Sequence, residues 1–85
     1  MADWVVDNNI CYSLNTIISI EYIGINNSWD FPYSYKIIFI NNKEYYRNFK
    51  YNPSFNKIIF NLKQIRELDG DTISLDEFFN YLGQP

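Results

Sequence analysis

The 85-residue sequence contains no histidine and a single cysteine, Cys11. Without His, the usual nucleophile–base pairs of hydrolytic enzymes are missing. One Cys cannot form an intramolecular disulfide, and a zinc site built from Cys and His lacks its ligands. The glycines Gly24, Gly70 and Gly83 lie too far apart to form a phosphate-binding loop. We therefore predict that the protein is not an enzyme and that it uses no metal ion or other cofactor.

Long apolar runs are absent as well. No segment approaches the ~18 consecutive apolar residues that a membrane span requires. The N-terminal residues lack the basic start and apolar centre of a secretory signal. We therefore expect a cytoplasmic protein that does not insert into a membrane.

Basic residues are missing from the first part of the chain, so charge is divided along the sequence. Residues 1–35 carry a net charge of −4, residues 36–66 a net charge of +6 and residues 67–85 a net charge of −5, which gives −3 in total. This division favours surface patches of opposite sign. Pairing of the basic middle with the acidic ends inside the molecule is the alternative.

Aromatic residues are abundant, at 20% of the chain, and 47% of the residues are hydrophobic. Such a composition predicts one folded domain over residues 1–85. A domain of this size cannot bury eight Tyr, seven Phe and two Trp completely. We expect some of them at a partner interface or a dimer interface. Base composition of the genome is an alternative reason for the many Tyr and Asn residues.

Three β-prone segments, at about 16–25, 33–40 and 44–50, predict an antiparallel meander because the connections between them are short. The first segment alternates apolar and polar residues, and Pro32 precedes the second. A short strand or an ordered arm is expected at residues 3–7, before a turn at Asn8 and Asn9.

A three-residue loop, Asn41 to Lys43, is predicted to join the second and third strands. This register pairs Phe39 with Tyr45 and Tyr35 with Phe49, whereas a two-residue loop would place like charges opposite each other. Asn42 is expected to adopt positive φ. The opposite face of the hairpin, which includes Ile38 and Tyr46, is apolar enough that we expect other parts of the protein to cover some of it.

After residue 51 the apolar period lengthens to between three and four, which predicts a helix at about 53–68. Asn52 is its expected N-cap, and Gly70 lies just past its end. A strand at residues 57–62 is the competing interpretation. Ser74 and Glu77 form a capping box that predicts a last helix at about 75–82. The predicted fold class is α+β, with both C-terminal helices packed on one face of the meander.

Residues 67–78 resemble the calcium-binding loop of EF-hand proteins. The resemblance implies that Glu67, Asp69 and Asp71 supply early carboxylate ligands and that Glu77 closes the site. The family's loop has about 12 residues with a glycine after the third acidic ligand, whereas a threonine follows Asp71 here and the loop is one residue short. An acidic, capped helix start explains the same carboxylates without an ion.

The basic middle segment, with its interleaved Tyr45, Tyr46, Phe49 and Tyr51, has the composition of a single-strand nucleic-acid binder. The whole chain has a pI of about 4.6, which opposes binding to a polyanion. We therefore do not expect direct nucleic-acid binding.

The acidic C-terminal residues suit a basic protein partner, for example the nucleic-acid groove of an enzyme, because carboxylates compete with phosphates for Lys and Arg. In length, acidity and lack of a catalytic motif, the chain resembles the small inhibitors that phages and mobile elements encode, anti-CRISPR proteins among them. The resemblance implies a non-catalytic, protein-binding inhibitor. The alternatives are an immunity or antitoxin-type protein, or an assembly subunit that self-associates through exposed aromatics, for example as a homodimer. The predicted contact residues are Glu67, Asp69, Asp71, Asp76, Glu77 and Tyr46.

Overall fold

Six strands and two α-helices form the fold, together with one turn of 3-10 helix. The computed structural model describes all of residues 1–85. It confirms the predicted α+β fold, with a three-stranded antiparallel meander and two C-terminal helices. No helix of the chain has both the length and the apolar character needed to cross a bilayer. In chain order the elements are β1 (Trp4–Asp7), β2 (Ile10–Ser13), the 3-10 turn (Leu14–Thr16), β3 (Ile17–Ile25), β4 (Tyr33–Phe39), β5 (Glu44–Phe49), α1 (Phe55–Arg66), β6 (Thr72–Ser74) and α2 (Leu75–Leu82).

Strands β3, β4 and β5 form an antiparallel sheet in that order, which we call the meander sheet. Its strands agree with the predicted bounds to within one residue at each end. Along β4, Tyr35, Ile37 and Phe39 are buried on one face, while the residues between them are only half-buried on the other. This alternation follows from the period of two along a strand, which is why the sequence pattern located the sheet.

A second sheet, which we call the N-terminal sheet, has the strand order β2-β1-β6. β1 pairs antiparallel with β2 across the predicted turn at Asn8 and Asn9, and parallel with β6, where Trp4 lies opposite Thr72. The sequence analysis left β1 open between strand and arm, and it did not predict β2 or β6. Strands of four and three residues carry too few alternations to show a period. Parallel pairing between distant segments also leaves no local signal.

The β4–β5 loop does contain three residues, but it is Ile40 to Asn42, so the predicted register is wrong by two residues. The amide of Asn42 donates to the carbonyl of Phe39 (2.9 Å), and the amide of Phe39 donates to the carbonyl of Lys43 (3.0 Å). Asn42 has the predicted positive φ, 62°. The third residue of such a loop needs positive φ. In the observed loop that residue is Asn42, which tolerates positive φ better than Lys43, the third residue of the predicted loop. A shift of two residues keeps each side chain on its predicted face.

Residues 57–62 lie in α1, so the helix interpretation is confirmed over the strand. The predicted N-cap is wrong, because the Ser54 hydroxyl, rather than Asn52, accepts from the Lys57 amide (3.2 Å). Asn52 instead accepts a hydrogen bond from the Tyr35 hydroxyl. The helix also ends at Arg66, earlier than predicted, so Gly70 with its φ of 90° lies in the following loop.

Both helices and the N-terminal sheet pack on the inner face of the meander sheet, where they share one hydrophobic core. Tyr12 of β2 stacks on Phe39 at one end of the sheet, with 4.5 Å between ring centroids. α2 lies over β5, because the backbone at Gly83 approaches the ring of Phe49 closely. On the outer face of the meander sheet, Glu44 and Tyr46 are exposed, whereas Lys36 and Ile38 are half-buried.

Candidate functional site

Five of the predicted contact residues lie in one continuous part of the surface, which we call the acidic corner. This surface runs from the end of α1 through the following loop and β6 into the first turn of α2, and all five side chains are exposed. Its residues are Glu67, Asp69, Asp71, Asp76 and Glu77.

Only one carboxylate of the acidic corner has an ion pair. Asp76 lies 3.5 Å from the Nη2 atom of Arg47, whose guanidinium also stacks 4.7 Å from the ring centroid of Phe79. The other two ion pairs of the chain both involve Lys36 and lie on the meander sheet. Intramolecular pairing therefore neutralises the acidic corner at a single position, and four carboxylates remain available to a partner.

The backbone beneath the acidic corner is held by tertiary hydrogen bonds. The carbonyl of Asp71 accepts from the amides of Asp3 and Trp4, each at 3.2 Å, at the point where β6 joins β1. Ser74 caps α2, with its hydroxyl accepting from the Glu77 amide at 3.2 Å, as the capping box predicted. Carboxylates in the first turn of a helix are also favoured by the helix dipole. The corner is thus a formed surface rather than a free tail.

The residues of the EF-hand resemblance do not converge on an ion. No group of three or more acidic or cysteine side chains in the structure is placed to hold a metal. Thr72 to Ser74 form strand β6 instead, so the chain is extended between Asp71 and α2. The carboxylates are instead spread along the acidic corner.

Tyr46, the sixth predicted contact residue, is not part of the acidic corner. It lies on the outer face of β5, whereas Arg47, the partner of Asp76, lies on the inner face. The Tyr46 hydroxyl donates to Glu44 at 3.3 Å, and the Lys36 ammonium lies 5.9 Å from the Tyr46 ring centroid. The structure therefore separates the two surfaces by the thickness of the sheet.

Lys36 is the centre of the outer face of the meander sheet. Its Nζ atom lies 3.3 Å from Glu21 on β3 and 3.9 Å from Glu44 on β5. The hydrogen bond with Glu21, and then the negative charge of that carboxylate, raise the pKa of Lys36. These contacts link all three strands on the outer face of the meander sheet.

The loop between β3 and β4 presents the most exposed aromatic residue of the chain, Trp29, which is 98% exposed. The Asn26 side chain donates to the carbonyl of Phe31 (3.0 Å) and accepts from the Ser28 amide (2.6 Å). The Ser28 hydroxyl in turn accepts from the Phe31 amide (3.1 Å). An exposed Trp on a preorganised loop is typical of an interaction surface. The sequence analysis treated this segment only as a short connection between two strands, although a Trp among polar turn residues was a usable signal.

A groove of about 350 Å³ lies where β5, α2 and the β3–β4 loop meet. Phe31, Tyr51 and Phe79 contribute aromatic walls, and Lys50 and Asn80 contribute polar groups. No carboxylate lines this groove.

A partly buried network of phenol hydroxyls joins the two sheets. The Tyr45 hydroxyl donates to Asp7 Oδ2 at 3.0 Å and lies 3.2 Å from the Tyr12 hydroxyl, which is therefore the donor of that second bond. Burial, and then these hydrogen bonds, raise the pKa of Tyr45 well above its usual range. Such a phenol stays neutral, and its hydrogen bonds link β5 of the meander sheet to β1 and β2 of the N-terminal sheet.

Comparison with protein-family models, with curated proteins and with solved structures finds no match for this chain.

Proposed function

We propose that this protein is a non-catalytic, protein-binding inhibitor whose acidic corner contacts a basic surface of its partner. The observation that carries the proposal is the set of four carboxylates without an ion pair on a backbone fixed by the β1–β6 junction. A charged surface that is already ordered loses little entropy on binding and attracts an oppositely charged partner at long range.

The partner of this proposal is an enzyme or complex that handles nucleic acids. Proteins of that class bind phosphates through Lys and Arg, and carboxylates compete for the same side chains. This mode of action corresponds to the phage and mobile-element inhibitors that the sequence resembles, anti-CRISPR proteins among them. A cytoplasmic location is part of the proposal, and the free, exposed thiol of Cys11 is consistent with a reducing compartment.

Charge reversal tests the proposal. The double variant Asp69→Lys, Asp71→Lys is compared with wild type in affinity capture from host lysate, with a salt series and with a DNA oligonucleotide as competitor. The matched control, Asp30→Lys with Glu44→Lys, changes the net charge equally but lies outside the acidic corner. We expect wild type and the control variant to retain a partner protein, which rising salt or the oligonucleotide releases. The double variant Asp69→Lys, Asp71→Lys should fail to retain it. Equal retention by both variants would exclude the acidic corner as the contact.

A second candidate function is that of an assembly subunit that self-associates. The observation that favours it is a group of exposed apolar residues along β3 and on the adjacent flank of α1, which the meander sheet and its helices leave uncovered. Contiguous apolar surface on this scale marks interfaces more often than free surface.

A further inference from the structure

β3 is an edge strand that the fold leaves open. It lies at the end of the meander sheet, pairs only with β4, and at nine residues is the longest strand of the protein. The backbone amides and carbonyls on its outer side have no partner strand. Such an edge is a template for pairing with another chain unless the sequence protects it.

The side chains of β3 provide little of the usual protection. Proteins commonly blunt an open edge with Lys, Pro, inward-pointing charges or β-bulges. β3 has no Lys or Pro, and its only charged residue, Glu21, is paired with Lys36 of β4. β3 contains two bulges, at Ile18 and Ile23, and both bulge residues are apolar and exposed, at 58% and 52%. Ile25, at the end of the strand, is 76% exposed. The regular stretch between the bulges remains free to pair.

The flank of α1 extends this apolar edge. The Asn61 side chain points to the C-terminal end of α2, and α2 lies over β5. Because successive helical residues rotate by about 100°, Phe55 and Ile59 lie on the flank of α1 that is turned away from Asn61 and α2. Both are more than half exposed. β3 is the edge of the meander sheet opposite β5. A strand added to β3 would therefore find an apolar helix flank above its inner face.

The area of this surface is close to what a dimer requires. Six apolar residues expose between 39% and 76% of their surface; at roughly 150–250 Å² for a large side chain they present about 500–800 Å². A stable interface covers about 800 Å² per partner, and the open backbone of β3 adds to the apolar area. The six residues are Ile18, Tyr22, Ile23, Ile25, Phe55 and Ile59.

We propose that this surface binds a second copy of the chain, with the two β3 strands antiparallel across a two-fold axis and the two meander sheets joined into one six-stranded sheet. An apolar, nearly uncharged edge is complementary to itself, which a two-fold interface requires. A pairing centred on Ile20 places Glu21 opposite Ser19 of the second copy, whereas one centred on Glu21 would oppose two like charges. This dimer supplies the interface for the second candidate function, the self-associating assembly subunit. It does not depend on the first, the protein-binding inhibitor.

The acidic corner does not oppose this association. Asp76 is paired to Arg47 on β5, at the other edge of the meander sheet, two strands away from β3. Strands are about 4.8 Å apart, and pairing across β3 adds the same distances again in the second copy. The two acidic corners of the dimer therefore lie on its outer ends, where they remain free for another partner.

Analytical ultracentrifugation of the purified protein measures its oligomeric state and tests the proposal. Concentrations from about 1 to about 500 µM cover the range in which interfaces of this size associate. We expect wild type to form dimers. The variant Ile23→Lys places a charge in the interface, and we expect it to raise the dimer dissociation constant by roughly tenfold or more. Ile10→Lys is the matched control, because Ile10 is equally apolar and 45% exposed but lies on β2, in the N-terminal sheet.

Hydrogen exchange on the wild-type protein tests the same interface without a substitution. The outward-facing amides of β3 should gain protection as concentration rises, while amides of β2 and β5 should not change. A protein that remains monomeric up to the highest concentration would overturn both the interface and the second candidate function. Two results would overturn the β3 interface but keep self-association: a dimer that forms without protection of β3, or a dimer that Ile23→Lys and Ile10→Lys leave equally stable.

Discussion

The side chain of Asn61 on α1 caps the end of α2 by donating from Nδ2 to the carbonyl oxygen of Leu82 at 3.1 Å. The same amide group donates to the carbonyl of Gln84 at 2.9 Å. Asn61 is the only polar residue among the buried side chains of the core. The last carbonyls of a helix have no partner within the helix, so an amide from a neighbouring helix satisfies them. This contact ties the two helices together at a position that no capping motif marks.

Replacing Asn61 with alanine should destabilise the protein, because it leaves buried carbonyls of α2 without a donor. We expect Asn61→Ala to lower the free energy of unfolding by about 1–3 kcal/mol, measured by urea denaturation. Gln64→Ala on the exposed side of α1 is the control, with an expected change within about 0.5 kcal/mol. If the two variants were equally stable, the bonds to Leu82 and Gln84 would contribute nothing to folding.

Gly83 is required because of its closeness to Phe49. A Cβ atom at this position would lie 2.8 Å from Phe49 Cγ, although the backbone φ of −84° suits any residue. We expect Gly83→Ala to lower the unfolding free energy by about 1–3 kcal/mol through overpacking. A double-mutant cycle checks the cause: the cost of the alanine should fall when Phe49 is shortened to leucine, and an unchanged cost would contradict a clash with that ring.

The β4–β5 loop depends on positive φ at Asn42. Asn42→Gly should leave stability unchanged or increase it slightly, because glycine adopts this conformation freely. Asn42→Val should lower the unfolding free energy by about 1–3 kcal/mol, since a β-branched residue is strained there. Thermal denaturation of both variants checks the prediction. A valine variant as stable as the glycine variant would show that the loop has another accessible conformation.

Stability should fall at alkaline pH because of the buried phenols. Burial raises the pKa of Tyr35, and burial with the bonds to Tyr12 and Asp7 raises that of Tyr45. A folded-state pKa above the unfolded value of about 10 means that the folded state holds more protons above that pH. The unfolding free energy should therefore be independent of these groups below pH ~10 and decrease as pH rises above it.

Urea denaturation across this alkaline range checks the prediction. Tyr45→Phe removes the titrating hydroxyl, so its unfolding free energy should decrease less steeply with pH than that of wild type. The variant is expected to be less stable at neutral pH, because Asp7 and Tyr12 lose a hydrogen-bond partner. Parallel pH profiles for the two proteins would contradict a raised pKa at Tyr45.

Local patterns in the sequence determined the elements whose signals lie within a few residues. The period of two located β3, β4 and β5, and the longer apolar period after residue 51 favoured a helix over a strand, which the structure confirms. Asn42 and Ser74 act through their own backbone and its nearest neighbours, so their roles were also predictable. The acidic corner belongs to the same class, because its carboxylates are neighbours in the chain.

Only the tertiary structure decided which distant segments meet. The pairing of β1 with β6 joins residues from opposite ends of the chain, and its two short strands carry no periodic signal. The same holds for the contact of Asn61 with Leu82 and for the separation of Tyr46 from the acidic corner. Whether an apolar residue such as Ile23 faces the core or the surroundings depends on what packs against it. The sequence by itself therefore determined the longer strands, the helices and the distribution of charge, and the packing of all elements decided which surfaces remain exposed.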